Sequence, residues 1–289
     1  MANNIKKPMN SLFLDFLINS QSRIDTNAEK WLESNSILDN IDEISDAVNE
    51  HLVLLMACWG EIGWCLPKCK ERDVYLGKVL EDLKNNISIN EIDKGLSECF
   101  KECEIEAFTI IIKKSLSVSD TKKLEVAFEL YLKQEYFTSA VILAGIIDSI
   151  SINQFIKANT NSENPSQCWK CYGKVIQDSF GGKYFSGVFP YKAHAKDDKR
   201  AKDTIEFFKS IKHDVFNHNV DDILVPLSFA LLKFYDDSNW FDKQQGYIPS
   251  SINRHWLAHS MYDYNDISRA DCIKLFCMLY QMIELYSTI

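Results

Sequence analysis

Residues that interrupt regular structure are scarce in this chain, which has ten glycines and six prolines among 289 residues. The dipeptides that close tight β-hairpins, Asn-Gly and Asp-Gly, do not occur. A protein built from short alternating strands needs such turns, whereas a helical protein needs fewer of them. Between the breaks, apolar residues recur at intervals of three and four, which is the spacing of an amphipathic helix. The sequence therefore predicts an all-α protein.

The first part of the chain is a series of amphipathic segments separated by polar residues. Helices are predicted over 11–33, 40–65, 72–85 and 92–116. Serines 115, 117 and 119 then offer oxygens that cap a new helix beginning near Lys122. We place a domain boundary there, so that a helical N-terminal region covers 1–118 and a second helical domain covers 119–289. No catalytic motif occurs in the N-terminal region, and its position suggests sensing, docking or dimer control.

The second domain starts with apolar spacing over 124–132 that resumes over 140–147, as two helices or one kinked helix. Clustered Asn, Gly and Pro make 159–199 an irregular connection. Helical spacing returns over 202–216 and 223–235. These segments supply enough apolar faces for a helical bundle.

Two further helices are predicted near the C-terminus. A short helix is expected to begin at Pro249, because proline suits the first helical turn. The last helix, 268–287, opens with Ser268 and Asp271 at capping-box spacing. Since apolar residues cover nearly its whole circumference, we expect this helix to be buried.

Composition narrows the choice of function. A net charge of −9 argues against a broad electrostatic grip on nucleic acid, so any RNA contact needs a local positive patch. No uncharged apolar run reaches eighteen residues and no secretion signal is evident, which predicts a cytoplasmic protein without membrane contact. Neither a Walker-type phosphate loop nor a dinucleotide-binding fingerprint occurs, which disfavours nucleotide hydrolysis.

The nine cysteines are interpreted as reduced thiols, because their number is odd and the chain resembles a cytosolic protein in composition. Two alternatives involve metal. Cys168 and Cys171 form a Cys-x-x-Cys pair without a second pair at zinc-ribbon spacing. Pairs four positions apart could bind zinc if their helix faces met, namely Cys65 with Cys69 and Cys99 with Cys103. We predict no metal site and no cofactor.

The segment that suggests chemistry runs from Ile252 to Ser260 and contains Arg254 and His259. Five helical positions separate these two side chains by about 140° around the axis, so they flank one side of a helix. The guanidinium fork of Arg suits a phosphate, and an imidazole can take a proton from a ribose hydroxyl or return one to a leaving oxygen. The simpler interpretation is a surface charge and a structural imidazole.

The surrounding sequence resembles the HEPN family, in which Arg is followed by a polar residue and three more positions before His. Arg254, His255, the residues 256–258 and His259 fit that motif. With Ile248-Pro249, Asn253 and Asp263-Tyr264, the segment is similar to a HEPN branch found in bacterial defence and abortive-infection systems. That branch usually has Gly after the His, and Ser260 departs from it.

A second resemblance lies in 136–148, which is similar to the opening helix of the HEPN family, where an acidic residue closes a small and aliphatic run. Asp148 fits that acidic position. A carboxylate on an apolar helix face needs a partner, and pairing with Arg254 or His259 would orient those groups. The alternative is that Asp148 points into solvent.

The resemblance implies a C-terminal antiparallel HEPN bundle that dimerises and acts as a metal-independent endoribonuclease, either a toxin or an antiviral effector. Arg254 would bind the scissile phosphate and His259 would transfer protons. Asn253 and His255 would orient the site or contact RNA, with helix capping or a solvent-facing position as the alternative for each. The implied partners are RNA, a second copy and a regulatory or antitoxin protein. The competing hypothesis is a catalytically silent helical dimerisation or interaction module, which the acidic charge favours.

Overall fold

The computed structural model describes residues 5–9, 14–15, 17–22, 24–26, 51, 55–56, 58–67, 72–158, 226–227, 229–231, 233–234 and 246–287. The helices are α1 (Arg72–Lys84), α2 (Ile89–Glu98), α3 (Glu102–Lys113), α4 (Val118–Leu132), α5 (Tyr136–Ala158), α6 (Arg254–Ala258) and α7 (Arg269–Ser287). Two strands, β1 (Ile5–Lys6) and β2 (Tyr247–Ile248), and a 3₁₀ turn (Tyr264–Asp266) complete the described elements. A mostly helical chain is thus confirmed over these residues, with a small addition of strand.

Further helical residues occur within 14–26, 51–61 and 226–234, inside segments predicted to be helical. The predicted connection 159–199 and the predicted helix 202–216 lie outside the described residues. So do Cys69, Cys168 and Cys171.

Helix α7 is the centre of the described fold and packs against α2, α3 and α5. Its capping box is present, because Ser268 N donates to Asp271 Oδ2 at 2.9 Å and Asp271 N donates to Ser268 Oγ at 3.4 Å. Nearly every side chain from Ala270 to Ile283 is buried, with Tyr280 the half-buried exception. The predicted burial of the last helix is confirmed.

The segment predicted as one helix over 92–116 is two helices, α2 and α3. Phe100 interrupts it, because its buried side chain stacks on Trp64 with ring centroids 5.9 Å apart. The chain restarts at Lys101, whose backbone N donates to the Glu104 carboxylate at 2.7 Å. Packing of one aromatic side chain therefore overrides the continuous helical spacing.

Helices α4 and α5 form a helical hairpin beside α3 and α7. Ser117 caps α4 by accepting from Asp120 N at 3.1 Å, so this helix begins earlier than the predicted start near Lys122. Residues 133–135 separate it from α5, and the two-helix alternative is therefore the observed one. Helices on both sides of the predicted boundary at 118 and 119 share one apolar core, and the boundary remains a prediction.

The two strands join the beginning of the chain to the segment before α6. They pair in parallel, with Ile5 beside Tyr247 and Lys6 beside Ile248, and Lys7 N donates to Ile248 O at 2.9 Å. Gly63 lies close to the same segment at a φ of +86°, and a Cβ there would be 2.2 Å from Ser251 Oγ. The chain that leads into α6 is therefore packed between β1 and the 62–64 turn.

Candidate functional site

Helix α6 carries the Arg and His of the sequence motif at its two ends. Arg254 is its first residue and His259 is its C-cap, and both are exposed. Trp256 and Leu257 between them are buried, and the Trp256 ring lies 5.2 Å from that of Tyr262. The apolar side of the helix thus faces the core, and both motif side chains reach solvent.

The buried side chain of Asn253 fixes the start of α6. Its side-chain oxygen accepts from Trp256 N at 3.0 Å, and Nδ2 donates to Lys233 O at 2.9 Å. Its backbone N donates to Tyr262 Oη at 3.0 Å. Asn253 is fully buried and is the N-cap of α6. The short helix begins here and not at Pro249, since the residues before Asn253 are not helical.

The end of α6 is a Schellman turn, in which the backbone beyond the helix turns left-handed. Met261 N donates to Trp256 O at 2.9 Å and Ser260 N donates to Leu257 O at 3.3 Å. Ser260 adopts a φ of +52°, the conformation that glycine favours. The departure from glycine at this position therefore leaves the turn intact.

The structure brings Arg254 and Asp148 together across α6 and α5. Arg254 Nε donates to Asp148 Oδ2 at 2.5 Å. With side chains 46% and 22% exposed, the pair is screened by water and contributes about 1 kcal/mol or less to stability. Its main effect is geometric, since the bond uses Nε and orients the Nη1–Nη2 edge of the guanidinium that suits a phosphate.

His255 and His259 lie one helical turn apart, with ring centroids separated by 4.3 Å and planes inclined at 51°. His259 N donates to His255 O at 3.0 Å, which holds the backbone of the C-cap. His255 is half-buried, whereas His259 is exposed. An imidazole at the His259 position can exchange protons with a bound molecule, and His255 lies beside it.

The chain beyond α6 follows α5 towards its first turn. The Tyr264 hydroxyl donates to the Glu135 carboxylate, and the Tyr264 ring lies 5.6 Å from that of Phe137 at an angle of 31°. Phe137 and Asp148 are eleven helical positions apart, which places them on nearly the same side of α5 and about 16 Å apart along it. Arg254 and Tyr264 thus border one side of α5, a feature that motif reasoning did not identify.

A buried charge network joins β1, α2 and α7 and contacts the segment that leads into α6. Lys6 Nζ contacts Asp93 Oδ2 at 2.5 Å and Asp271 Oδ1 at 2.6 Å. Lys274 Nζ contacts Asp93 Oδ2 at 2.7 Å and donates to Ser250 O at 3.3 Å. All four charged side chains are at most 5% exposed. The Trp64 indole N–H also donates to Asp93 at 2.8 Å. Through the bond from Lys274 to Ser250 O, the network holds the segment that leads into α6 against the core.

The two lysines of this network are shifted in opposite directions. Burial favours a lower pKa for Lys6, but the carboxylates of Asp271 and Asp93 outweigh it and raise the pKa. Burial lowers the pKa of Lys274 to about 8, and repulsion by Lys6 offsets part of the attraction that Asp93 exerts on it. Burial raises the pKa of Asp271, but Lys6 and Lys274 together bring it down to about 2. Lys6 is therefore the cation that best compensates the buried carboxylates.

Sequence reasoning missed this network, although one signal was present. A helix that is apolar nearly all around leaves Lys274 no solvent-facing side, so its ammonium needs a buried carboxylate. The helical spacing of Ile89, Ile92 and Leu96 likewise places the neighbouring Asp93 near the core. No spacing rule connects these residues to Lys6.

Comparison with protein-family models, curated proteins and solved structures finds no match for this chain. Within the described ranges, no helix has the length and apolar character to cross a membrane. The same residues contain no group of three or more His, Cys, Asp or Glu side chains placed to hold a metal ion. The function is therefore argued from the geometry of α6 and its neighbours.

Proposed function

We propose that the chain is a metal-independent endoribonuclease of the HEPN type, which acts in the cytoplasm as a toxin or antiviral effector. The observation that carries the proposal is the exposure of Arg254 and His259 at the two ends of one short helix, with Asp148 bound to the guanidinium. The folded core holds the helix itself, through Asn253 and Trp256. A phosphate ligand and a proton-transfer group are thus presented together on a fixed support.

In the proposed reaction the ribose 2′-oxygen attacks the adjacent phosphorus and the bond from phosphorus to the 5′-oxygen breaks. His259 accepts the 2′-hydroxyl proton, and a second imidazole in its protonated form gives a proton to the departing 5′-oxygen. The products are a 2′,3′-cyclic phosphate and a 5′-hydroxyl. Arg254 neutralises the charge that grows on the phosphoryl oxygens. No metal is needed, because these groups supply both charge and protons.

A second copy of the chain supplies the second imidazole in this proposal. Because His259 lies at the surface, the partner subunit's His259 can meet it across a two-fold axis. A regulatory or antitoxin protein would act by covering this surface or keeping the two copies apart. Sedimentation of the purified protein tests the dimer separately from the chemistry.

The enzymatic proposal is tested by RNA cleavage with a chelator present. We expect His259→Ala to lower the rate by about 10²–10⁴-fold and Arg254→Ala by about 10²–10³-fold, because each removes one transition-state contact. Lys122→Ala is the matched control, since it removes an exposed charge on α4, away from α6. The readout is single-turnover cleavage of labelled RNA, with analysis of the 2′,3′-cyclic end.

Three results would contradict the proposal. If Arg254→Ala and His259→Ala both cleave RNA like the wild type, these side chains are not the catalytic groups. If the wild type does not cleave RNA, the chain is not a nuclease and the helical interaction module is the remaining hypothesis. If the chelator alone abolishes wild-type cleavage, the reaction depends on a metal.

A further inference from the structure

Tyr264 is an exposed aromatic ring that the protein holds in place. Tyr264 is 53% exposed, more than any other described aromatic residue among the exposed large hydrophobic side chains. Phe137 contacts the ring at 5.6 Å, and the hydroxyl donates to Glu135. The hydroxyl bond to Glu135 and the contact with Phe137 therefore hold the ring in place, while a large part of its surface faces solvent.

The 3₁₀ turn that carries Tyr264 is itself fixed at both ends. Asp263 N donates to the Asp266 carboxylate at 2.7 Å, and Asp266 N donates to Asp263 O at 2.9 Å. Asp266 and the following Ile267 are buried. A ring held in this way loses little conformational entropy when a flat molecule covers it.

We infer that Tyr264 is a stacking platform for a base of single-stranded RNA that is bound along α5, an inference that rests on the proposed nuclease function. The distance from the Asp148–Arg254 pair to the Phe137–Tyr264 pair, about 16 Å along α5, is spanned by about five stacked nucleotides or by fewer extended ones. The base on Tyr264 thus lies within about five nucleotides of the scissile phosphate.

The distribution of charge agrees with a base at this end and a phosphate at the other. Arg254, whose charge is paired with Asp148, presents its remaining N–H donors at one end of the path, while Glu135 and Asp263 are exposed carboxylates next to Tyr264. These carboxylates repel the RNA backbone but leave an uncharged base unaffected. A chain with a net charge of −9 also needs an RNA contact that does not depend on charge, and stacking is such a contact.

Between the two ends, one flank of this side of α5 is open, while Ala144 on the line between them is buried. Val141 is 41% exposed, and a Cβ added to Gly145 would meet nothing within 4 Å. No side chain at these two positions rises far enough to block a strand that runs from Arg254 to Tyr264. The RNA path therefore crosses a low surface between a charged end and an aromatic end.

The test measures RNA affinity in a His259→Ala background, so that cleavage does not consume the probe. The probe is a fluorescein-labelled single-stranded RNA octamer of mixed sequence, followed by anisotropy. We expect Tyr264→Ala to weaken binding by about 5- to 100-fold, the range for loss of one stacked base. Tyr264→Phe should stay within about 2-fold, because it keeps the ring. Val118→Ala is the control, as it shortens another exposed side chain on α4.

Abasic substitution identifies the base that is stacked. Octamers with a single abasic position are compared on the His259→Ala parent and on the same protein carrying Tyr264→Ala. We expect the difference in affinity between these two proteins to disappear at one abasic position only. A thermal melt of each variant separates loss of binding from loss of fold.

The outcomes distinguish the platform from the nuclease. Equal octamer affinity for folded Tyr264→Ala and its parent would overturn the inference while leaving wild-type cleavage as evidence for the nuclease. RNA binding that depends on Tyr264, without cleavage by the wild type, would support the platform and reject the nuclease. A wild type that neither binds nor cleaves RNA rejects both.

Discussion

At the scale of single residues, three described helix ends close on a left-handed residue that is not glycine, whereas the helical turn before Gly63 closes on glycine. Asn86, Gln134 and Ser260 have φ values of 57°, 63° and 52°, and they follow α1, α4 and α6. The residue that follows each of them donates its backbone N–H to the carbonyl of the residue five positions before that donor, which is the Schellman pattern. A search for glycine therefore overlooks these three ends.

We predict that Ser260→Gly stabilises the protein by about 0.5–1 kcal/mol, because a left-handed φ is strained for serine and not for glycine. Equilibrium denaturation at constant protein concentration measures the change. Ser260→Ala is the control and should bring no gain, since alanine has the same Cβ. A loss of stability in the glycine variant would mean that the left-handed turn is not the conformation in solution.

Other residues of the site were predictable to different degrees. The motif predicted Arg254 and His259 as candidate residues, and the apolar run before Asp148 predicted a carboxylate that contacts Arg254. Capping chemistry was the simpler interpretation of Asn253, and the bond to Trp256 N agrees with it. Tyr264 entered only as part of a family resemblance, because its contacts with Phe137 and Glu135 join segments far apart in sequence.

At the scale of elements, local chemistry set most helix starts and tertiary packing set the exceptions. The Ser268–Asp271 capping box was visible in the sequence, and it is present. The break between α2 and α3 was not visible, since it depends on where the Phe100 ring packs against Trp64. The strand pair was equally hidden, because two residues of strand have no detectable period.

We predict that Lys6→Met destabilises the fold by about 3–5 kcal/mol at neutral pH, the cost of leaving buried carboxylates without their cation. Asp271 loses its 2.6 Å contact, and Asp93 keeps only Lys274 as a charged contact in the network. Chemical denaturation measures the loss.

Lys94→Met, which removes an exposed lysine beside Asp93, is the matched control and should change stability by less than about 0.5 kcal/mol. Equal stabilities for the two variants would show that β1 does not depend on its ion pairs. A double variant, Lys6→Met with Asp271→Asn, should recover part of the loss because it removes an unpaired charge.

At the scale of the whole molecule, one buried histidine links stability to pH. Burial, and then the charge of Lys84, lower the pKa of His51. Its Nδ1 lies 2.9 Å from Ser20 Oγ, and that hydroxyl donates its proton to Leu17 O. The imidazole Nδ1 therefore carries a proton and donates to Ser20, in a neutral ring.

We predict that stability falls as pH drops below about 6.5, because the unfolded chain then binds a proton that the folded chain does not. The slope from this group is at most about 1.4 kcal/mol per pH unit and ends once the pH passes the lowered pKa of His51. Denaturation between pH 5 and 8 measures it. His51→Gln removes the titrating ring and should flatten the slope; an unchanged slope in that variant would assign the effect to other groups.

The helical character of the molecule was predictable from the sequence, whereas its assembly was not. Periodicity locates apolar faces, but it does not say that α7 is the helix that α2, α3 and α5 share. Nor does it place β1 beside β2, since the partners come from opposite ends of the chain. The candidate site likewise joins segments that are far apart in sequence. Arg254 and Tyr264 could therefore be named from the sequence, whereas the surface of α5 between them could not.

The pairing of Lys6 with Asp271 across 265 positions has a consequence for synthesis. At about 5–20 residues per second, a ribosome makes the carboxylate roughly a quarter of a minute to a minute after the lysine. For most of that interval the first strand lacks its neighbouring strand, and Lys6 lacks one of its two carboxylate partners. The ion pair that joins β1 to α7 therefore forms only after nearly all of the described residues have been made.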